Sequence, residues 1–162
     1  AKPEDLPLLV RGREDDAQGV LDAQLRTIAG LASEIPSDTE HYRYAEGKWT
    51  VRELLGHLAD TERILNWRAL AAARGDQNNI QPFDQDAYVS IAGHDSIPVS
   101  QWVDQLVAIR KSSLALLATF GHADWRRMGR SNGSLVSARA WGFVMSLHME
   151  LHLKTLRTRY LS

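Results

Sequence analysis

The sequence predicts an all-α protein, a four-helix bundle forming one domain over residues 1–162. Four segments place apolar residues at three- and four-residue steps, which is the period of an amphipathic helix. Short and medium polar connectors separate these segments, and helix and strand patterns do not alternate as they do in an α/β sheet protein. A chain of 162 residues also has about the usual size of one domain.

The first two helices have clear ends in the sequence. The first is predicted over residues 13–34, with Pro36 ending it, because proline cannot continue a helix. The second begins after Thr50, which forms a capping box with Glu53, and runs from Val51 to about Arg74. Apolar residues such as Leu54, Leu58 and Leu65 mark its buried side.

A long connector separates the second helix from the third. Residues 75–98 read as an irregular stretch, and connectors of this length are often binding loops or lids. The third helix opens at Pro98 and continues to about Phe120. Asn132-Gly133 then favours a tight turn, and Ser137 caps a last helix that extends to about Tyr160.

The amino-acid composition argues against several kinds of binding partner and site. The chain carries 19 basic and 20 acidic residues, for a net charge of -1, which argues against general attraction to nucleic acid or an anionic membrane surface. No apolar run approaches the roughly 20 residues of a membrane helix. The absence of cysteine excludes disulfides and thiolate metal sites, and we expect a cytoplasmic protein.

Three histidines fall on helical sequence where they could hold a metal ion. His148 and His152 lie four residues apart, on the inward stripe of the last helix with Trp141 and Met145. His57 lies inside the second helix, and a bundle lets ligands from facing helices meet in its core. Three neutral imidazoles leave a coordination position open, which suits a catalytic metal better than a closed structural one.

The histidines also have a reading without metal, since a carboxylate or a backbone carbonyl would satisfy a buried imidazole. Asp60, one turn after His57, and Asp84 or Asp86 in the long connector are candidates to orient a ligating histidine. Tyr88 is a candidate for the wall of a pocket or for pinning the loop to the bundle. We expect the three other histidines to lie at the surface: His41, His94 and His122.

Several motifs in order make the chain similar to a known family. The segments "EGKWTVRELLGHLADTE", "FDQDAY", "RSNGSLVSARAW" and "HMELHLKTLRTRY" resemble the DinB-like (DinB/YfiT) superfamily of metalloenzymes from about Tyr44 to Tyr160. The resemblance implies an up-down-down-up bundle, a homodimer, and a divalent metal, zinc or nickel, on His57, His148 and His152. Many relatives carry His-Glu-Leu-His-His, where this chain has Leu151 before His152.

The resemblance does not fix the reaction. It implies an enzyme acting on a small molecule, either a transferase that uses a low-molecular-weight thiol or a hydrolase. The alternative is a non-catalytic metal-binding protein of the stress response. A cleft open to the metal would favour the enzyme, and a metal sealed by apolar side chains would favour the binding protein.

Overall fold

Helices dominate the computed structural model, which describes residues 16–162. In chain order the helices of this part are α1 (Ala17–Glu34), α2 (Val51–Ala73), α3 (Gln85–Ala92), α4 (Val99–Leu117), α5 (His122–Arg126) and α6 (Ala138–Thr155). The four long ones, α1, α2, α4 and α6, form the expected bundle. The predicted start of the first helix at residues 13–15 lies outside the described residues. None of the helices in residues 16–162 has the length and apolar character needed to cross a membrane.

Two apolar clusters show the direction of each helix. One cluster joins the end of α1 and the end of α6 to the starts of α2 and α4; it includes Leu31, Leu54, Trp102 and Leu153. The other joins the opposite ends of the same helices. Helices α1 and α6 therefore run one way and α2 and α4 the other, which is the up-down-down-up order.

The caps explain where the helices that carry the histidines begin. The Thr50 hydroxyl accepts a hydrogen bond from the Glu53 amide at 3.1 Å, and the Thr50 amide donates to the Glu53 carboxylate at 2.8 Å. Ser137 accepts from the amide of Ala140 at 3.1 Å. Both caps confirm the sequence signals. Beyond α6 the chain continues as a wider π-helical turn, Leu156–Tyr160. The last helix therefore extends to Tyr160 as expected, first as α-helix and then as π-helix.

The connector between α2 and α4 is more regular than the sequence predicts. It contains the short strand β1 (Asn79–Ile80), helix α3 and a 3-10 turn, His94–Ser96. Asp84 caps α3 by accepting from the amides of residues 86 and 87, and Gly93, with φ of 64°, ends it in the left-handed region. The prediction of an irregular stretch was wrong because these cap signals flank only two turns of helix.

A small sheet lies against the far end of α2. Strands β2 (Met128–Ser131) and β3 (Ser134–Ser137) are antiparallel, and β1 pairs in parallel with β2. Asn132 and Gly133, with φ of 49° and 77°, form the turn of the hairpin, as their sequence predicts. Gly129 allows the close approach, because a Cβ there would lie 3.0 Å from the Cα of Ala72.

A buried polar network ties the four long helices together. The Arg110 guanidinium on α4 is fully buried and pairs with both oxygens of Glu62 on α2, at 2.7 and 3.0 Å. It also donates to the carbonyl of Leu21 and the side chain of Gln24 on α1. Gln24 in turn donates to the carbonyl of Ser146 on α6 at 3.0 Å. Nothing in the apolar periodicity of these helices announces this network.

Candidate metal centre

The three predicted histidines meet between α2 and α6. One ring nitrogen from each of the three histidines lies within 4.8 Å of the chosen nitrogens of the other two. The Nε2 atoms of His57 and His148 face each other at 3.1 Å. The centre of the His152 ring lies 4.9 Å from the centre of the His57 ring and 4.5 Å from that of the His148 ring. His57 is buried, while His148 and His152 are partly buried.

The helices explain why the three rings converge. His148 and His152 are four residues apart on α6, so their side chains leave the same face one turn above the other. Helix α2 packs beside α6, and His57 stands on its facing side. The ring of Trp49, just before the α2 cap, lies 4.6 Å from the ring of His57 and covers it. Trp49 thus shields one face of the His57 ring.

Burial keeps the three imidazoles neutral. It is the main cause that lowers the pKa of His57 from 6.5 to about 3, that of His148 to about 2 and that of His152 to about 4. Repulsion between the rings adds to the effect at His57 and His148. Neutral imidazole is the form that binds a metal ion, so the site holds its ligands ready over a wide pH range.

The distance between the two facing nitrogens fits a divalent ion that histidines would hold. Two nitrogens that bind one zinc ion at the usual bond length lie about 3.3 Å apart, close to the 3.1 Å between the Nε2 atoms of His57 and His148. The hydroxyl of Thr61 lies 3.4 Å from Nδ1 of His57. A proton on that Nδ1 leaves the lone pair of Nε2 facing the other two rings.

The structure places Asp60 away from this role. Its carboxylate meets Nε2 of His94 at 3.1 Å and Arg63 at 3.4 Å, whereas the contact at Nδ1 of His57 comes from Thr61. Asp60 is one turn from His57 in sequence but faces the connector that carries His94. The expectation that Asp60 orients His57 is therefore corrected.

His94 corrects a second expectation. It was expected at the surface, but it is only 4% exposed, and its ring packs against Trp102 at 5.1 Å. The glycine at position 56 makes the room, because a Cβ there would lie 2.4 Å from the ring of His94. His94 lies in a 3-10 turn within the connector that the sequence predicts to be irregular, and this turn brings the side chain into the protein interior. His41 and His122 are exposed, as expected.

The two candidates from the connector take other positions. Asp84 is the cap of α3, and its carboxylate accepts two backbone hydrogen bonds. Tyr88 is 48% exposed and packs on Phe83 with ring centres 5.2 Å apart. Their neighbours Gln85 and Asp86 line a cleft of about 490 Å³ that also reaches His152. The "FDQDAY" segment thus contributes to the pocket through Asp86, the alternative to Asp84 among the predicted candidates, and through Gln85, which was not predicted.

Thr61 and Trp49 are the two contacts of His57 that the sequence analysis missed. Thr61 is four residues after His57, so the i,i+4 rule that paired His148 with His152 would have found it. Trp49 directly precedes the capping residue Thr50, a position where an apolar side chain commonly packs on the first turns of a helix. The signal existed in both cases, but helical spacing identifies neighbours without saying which of them a side chain contacts.

A helical bundle with three inward histidines on two facing helices defines a class of protein with a histidine-only site suited to a divalent metal. Within that class the chain belongs to the DinB superfamily, whose family model matches residues 21–156.

The relatives agree with this placement. A protein of Geobacillus thermodenitrificans (strain NG80-2) with the name "Putative metal-dependent hydrolase" is 27% identical over 107 residues, which is 66% of this chain and 58% of the relative. The match therefore spans less than two thirds of that protein.

Two solved structures share the fold. YfiT from Bacillus subtilis, described as "a probable metal-dependent hydrolase with an unusual four-helix bundle topology", superposes with a TM-score of 0.74 at 21% identity, over 92% of this chain and 88% of its own. A mycothiol-dependent maleylpyruvate isomerase gives a TM-score of 0.69 at 13% identity, over 85% of this chain and 58% of its own. At these identities the likeness concerns the fold alone.

Proposed function

We propose that this protein is a divalent-metal-dependent enzyme that acts on a small molecule, with His57, His148 and His152 as the metal ligands. The observation that supports the proposal most directly is the facing pair of Nε2 atoms, 3.1 Å apart, with a third imidazole beside them. Two neutral imidazoles at this distance can share one N–H···N hydrogen bond, so the pair alone does not call for a metal. The third imidazole beside them, in a site whose burial disfavours protonation, completes the set of neutral nitrogens that binds a divalent cation.

The cleft favours an enzyme over a non-catalytic metal-binding stress protein. A binding module needs its ion enclosed, whereas here the cleft of about 490 Å³ reaches His152. A cavity of this size holds a small organic molecule. Trp49 packs on the ring of His57 and lines the same cleft, so a ligand in the cleft would lie beside both His152 and Trp49.

Hydrolysis is the reaction we place first, because two relatives are named for it. A divalent ion held by three histidines supplies Lewis-acid chemistry, polarising a carbonyl and lowering the pKa of water or of a thiol. The chain's own part is to keep the imidazoles neutral, to offer a hydrogen-bond partner to Nδ1 of His57 through Thr61, and to cover the ring of His57 with Trp49. Thiol-dependent transfer is the second candidate, favoured by the shared fold of the mycothiol-dependent isomerase.

Elemental analysis of protein purified without an affinity tag tests the metal. We expect about one divalent ion per chain, and the analysis itself decides between zinc and nickel. His57→Ala and His148→Ala should each lose the ion. His41→Ala and His122→Ala, at exposed positions, are the controls and should retain it. Full metal content in the His57→Ala protein would disprove the three-histidine site.

A substrate screen tests the reaction. The metal-loaded protein is assayed against esters and amides, and in parallel against electrophiles with a low-molecular-weight thiol. Activity that disappears in His148→Ala and stays in His122→Ala supports the enzyme, while inactivity across both panels supports the binding protein.

We also propose a homodimer, as the family resemblance implies. Light scattering of the protein as it elutes from a size-exclusion column measures its mass.

A further inference from the structure

The cleft beside His152 carries a pattern of charge that points to its ligand. Its lining comes from the loop before α2, from α3 and from the end of the chain, and includes Tyr44, Lys48, Trp49, Asp86, His152 and Tyr160. We call it the His152 cleft. The inference drawn from it rests on the proposed function, in that it takes this cleft as the place where the substrate binds.

Some polar groups of the His152 cleft already have partners within the protein. The hydroxyl of Tyr160 donates to the carbonyl of Trp49 at 2.9 Å, and the hydroxyl of Thr155 donates to the carbonyl of Leu151 at 3.0 Å. These bonds hold the wall in place. Because their donors are occupied, these hydroxyls are not the groups best placed to select a ligand.

Within the described part of the chain, two opposite charges in the cleft have no ionic partner. Among residues 16–162, Lys48 and Asp86 take part in no ion pair with each other or with a neighbour. Lys48 belongs to the loop before α2, and Asp86 to the first turn of α3. The nearby Arg43 and Glu53, by contrast, pair at 2.7 Å and neutralise each other. The cleft is thus left with one positive and one negative group on separate elements.

Much of the remaining wall of the cleft is aromatic and apolar. Trp49 lies against His57 and Tyr44 meets Tyr160 edge to face at 4.9 Å, so both rings are held in fixed positions. Leu54 and Leu151 extend the apolar surface. Flat, fixed rings bind an apolar or planar body well, because little side-chain freedom is lost on binding.

We propose that the His152 cleft selects a zwitterionic small molecule of about dipeptide size. Its carboxylate would lie at Lys48, its ammonium at Asp86, and its apolar body on Trp49 and Tyr44. A neutral molecule would leave both charges of the cleft without a partner, and a singly charged one would leave one. The volume of about 490 Å³ accommodates a ligand of this size beside His152.

Four compounds of one shape test the proposal with the full-length protein. Glycyl-phenylalanine is the zwitterion; its N-acetyl form keeps only the carboxylate, its amide keeps only the ammonium, and the N-acetyl amide is neutral. Binding is measured by isothermal titration calorimetry. Since both protein charges are exposed, each matched charge should strengthen binding about threefold, and the zwitterion should bind about tenfold tighter than the neutral compound.

Two variants assign the charges. Lys48→Gln should remove the preference for a free carboxylate and keep the preference for the ammonium, and Asp86→Asn should do the reverse. Lys111→Gln and Asp104→Asn change exposed charges on α4, outside the cleft, and should leave both preferences intact. Equal affinity for the four compounds, no binding of any of them, or preferences that survive both cleft variants would overturn the proposal.

The metal is followed separately, so that the two proposals fail in different ways. Metal content is measured before each titration, and His57→Ala is titrated as well. If the wild type contains no metal but still prefers the zwitterion, the proposed enzyme is wrong and the charge selection stands. If the wild type contains its metal and does not distinguish the four compounds, the charge selection is wrong and the metal site stands.

Discussion

Replacing Glu62 by Gln should destabilise the protein strongly, because it leaves the guanidinium of Arg110 buried without a counter-charge. Arg110 is fully buried and Glu62 is 3% exposed. The two side chains form two hydrogen bonds, of 2.7 and 3.0 Å, and the Ser113 hydroxyl adds a third contact to Glu62 at 3.2 Å. Removing one partner of a buried ion pair costs about 3–5 kcal/mol. That is a large part of the free energy of unfolding of a whole domain, which is typically about 5–15 kcal/mol.

The chain offers a matched control at its surface. Arg157 and Glu34 also form two hydrogen bonds, of 3.0 and 3.1 Å, between the end of the chain and α1. Their side chains are 47% and 37% exposed, so water solvates either charge when its partner is removed. Glu34→Gln should therefore cost less than about 1 kcal/mol. Both pairs join one guanidinium to one carboxylate by two hydrogen bonds, so the difference between the two variants reports mainly the effect of burial, together with the Ser113 contact at Glu62.

The assay is equilibrium unfolding in urea followed by circular dichroism, with the metal removed from every sample. A double variant, Glu62→Leu with Arg110→Met, takes both charges out of the core and should recover much of the stability lost in Glu62→Gln. It still leaves the carbonyl of Leu21 and the side chain of Gln24 without their donor, so full recovery is not expected. A cost for Glu62→Gln no greater than that of Glu34→Gln would refute the reasoning.

Two further predictions concern the histidines. Without metal, the protein should lose stability as the pH falls below 6.5. In the unfolded chain His57, His148 and His152 become protonated near that pH, whereas in the folded protein their pKa values are about 3, 2 and 4, so protons bind preferentially to the unfolded state. The slope should approach about 4 kcal/mol per pH unit for three groups, and urea midpoints at neutral and mildly acidic pH measure it; equal stability would contradict the assigned burial. Gly56→Ala should destabilise the protein by about 1–3 kcal/mol, since its Cβ would lie 2.4 Å from the ring of His94. Gly30→Ala is its control, because the nearest atom is 4.0 Å away; thermal unfolding of the two should shift in opposite directions, Gly30→Ala gaining up to about 1 kcal/mol as a helical Gly→Ala change.

The sequence located the bundle and the pair of histidines on the last helix because both depend on local regularities. A capping box needs only Thr50 and Glu53, three residues apart, and the pairing of His148 with His152 needs only the helical repeat. His57 was identified by its helix and by the family resemblance, and the structure brings it to the other two.

The errors fell where partners are chosen over a distance. Asp60 was assigned to His57 because the two are one turn apart, yet its carboxylate bonds to His94, which lies 34 positions further along the chain. Periodicity states which way a side chain leaves its helix but not which residue a distant connector brings against it. The short helix α3 escaped for a related reason, because two turns carry too few apolar residues to show a period.

The chain alone settled the helical class of the protein, the beginnings of the helices that carry the ligands, and the face on which two imidazoles stand together. These follow from hydrogen bonds and side-chain spacing within a few residues. Packing of the helices settled how close His57 comes to His148, the buried link between Glu62 and Arg110, and the cleft that joins Lys48, Asp86 and His152. Those features depend on contacts between segments far apart in the chain, which burial of apolar surface enforces without leaving a local pattern.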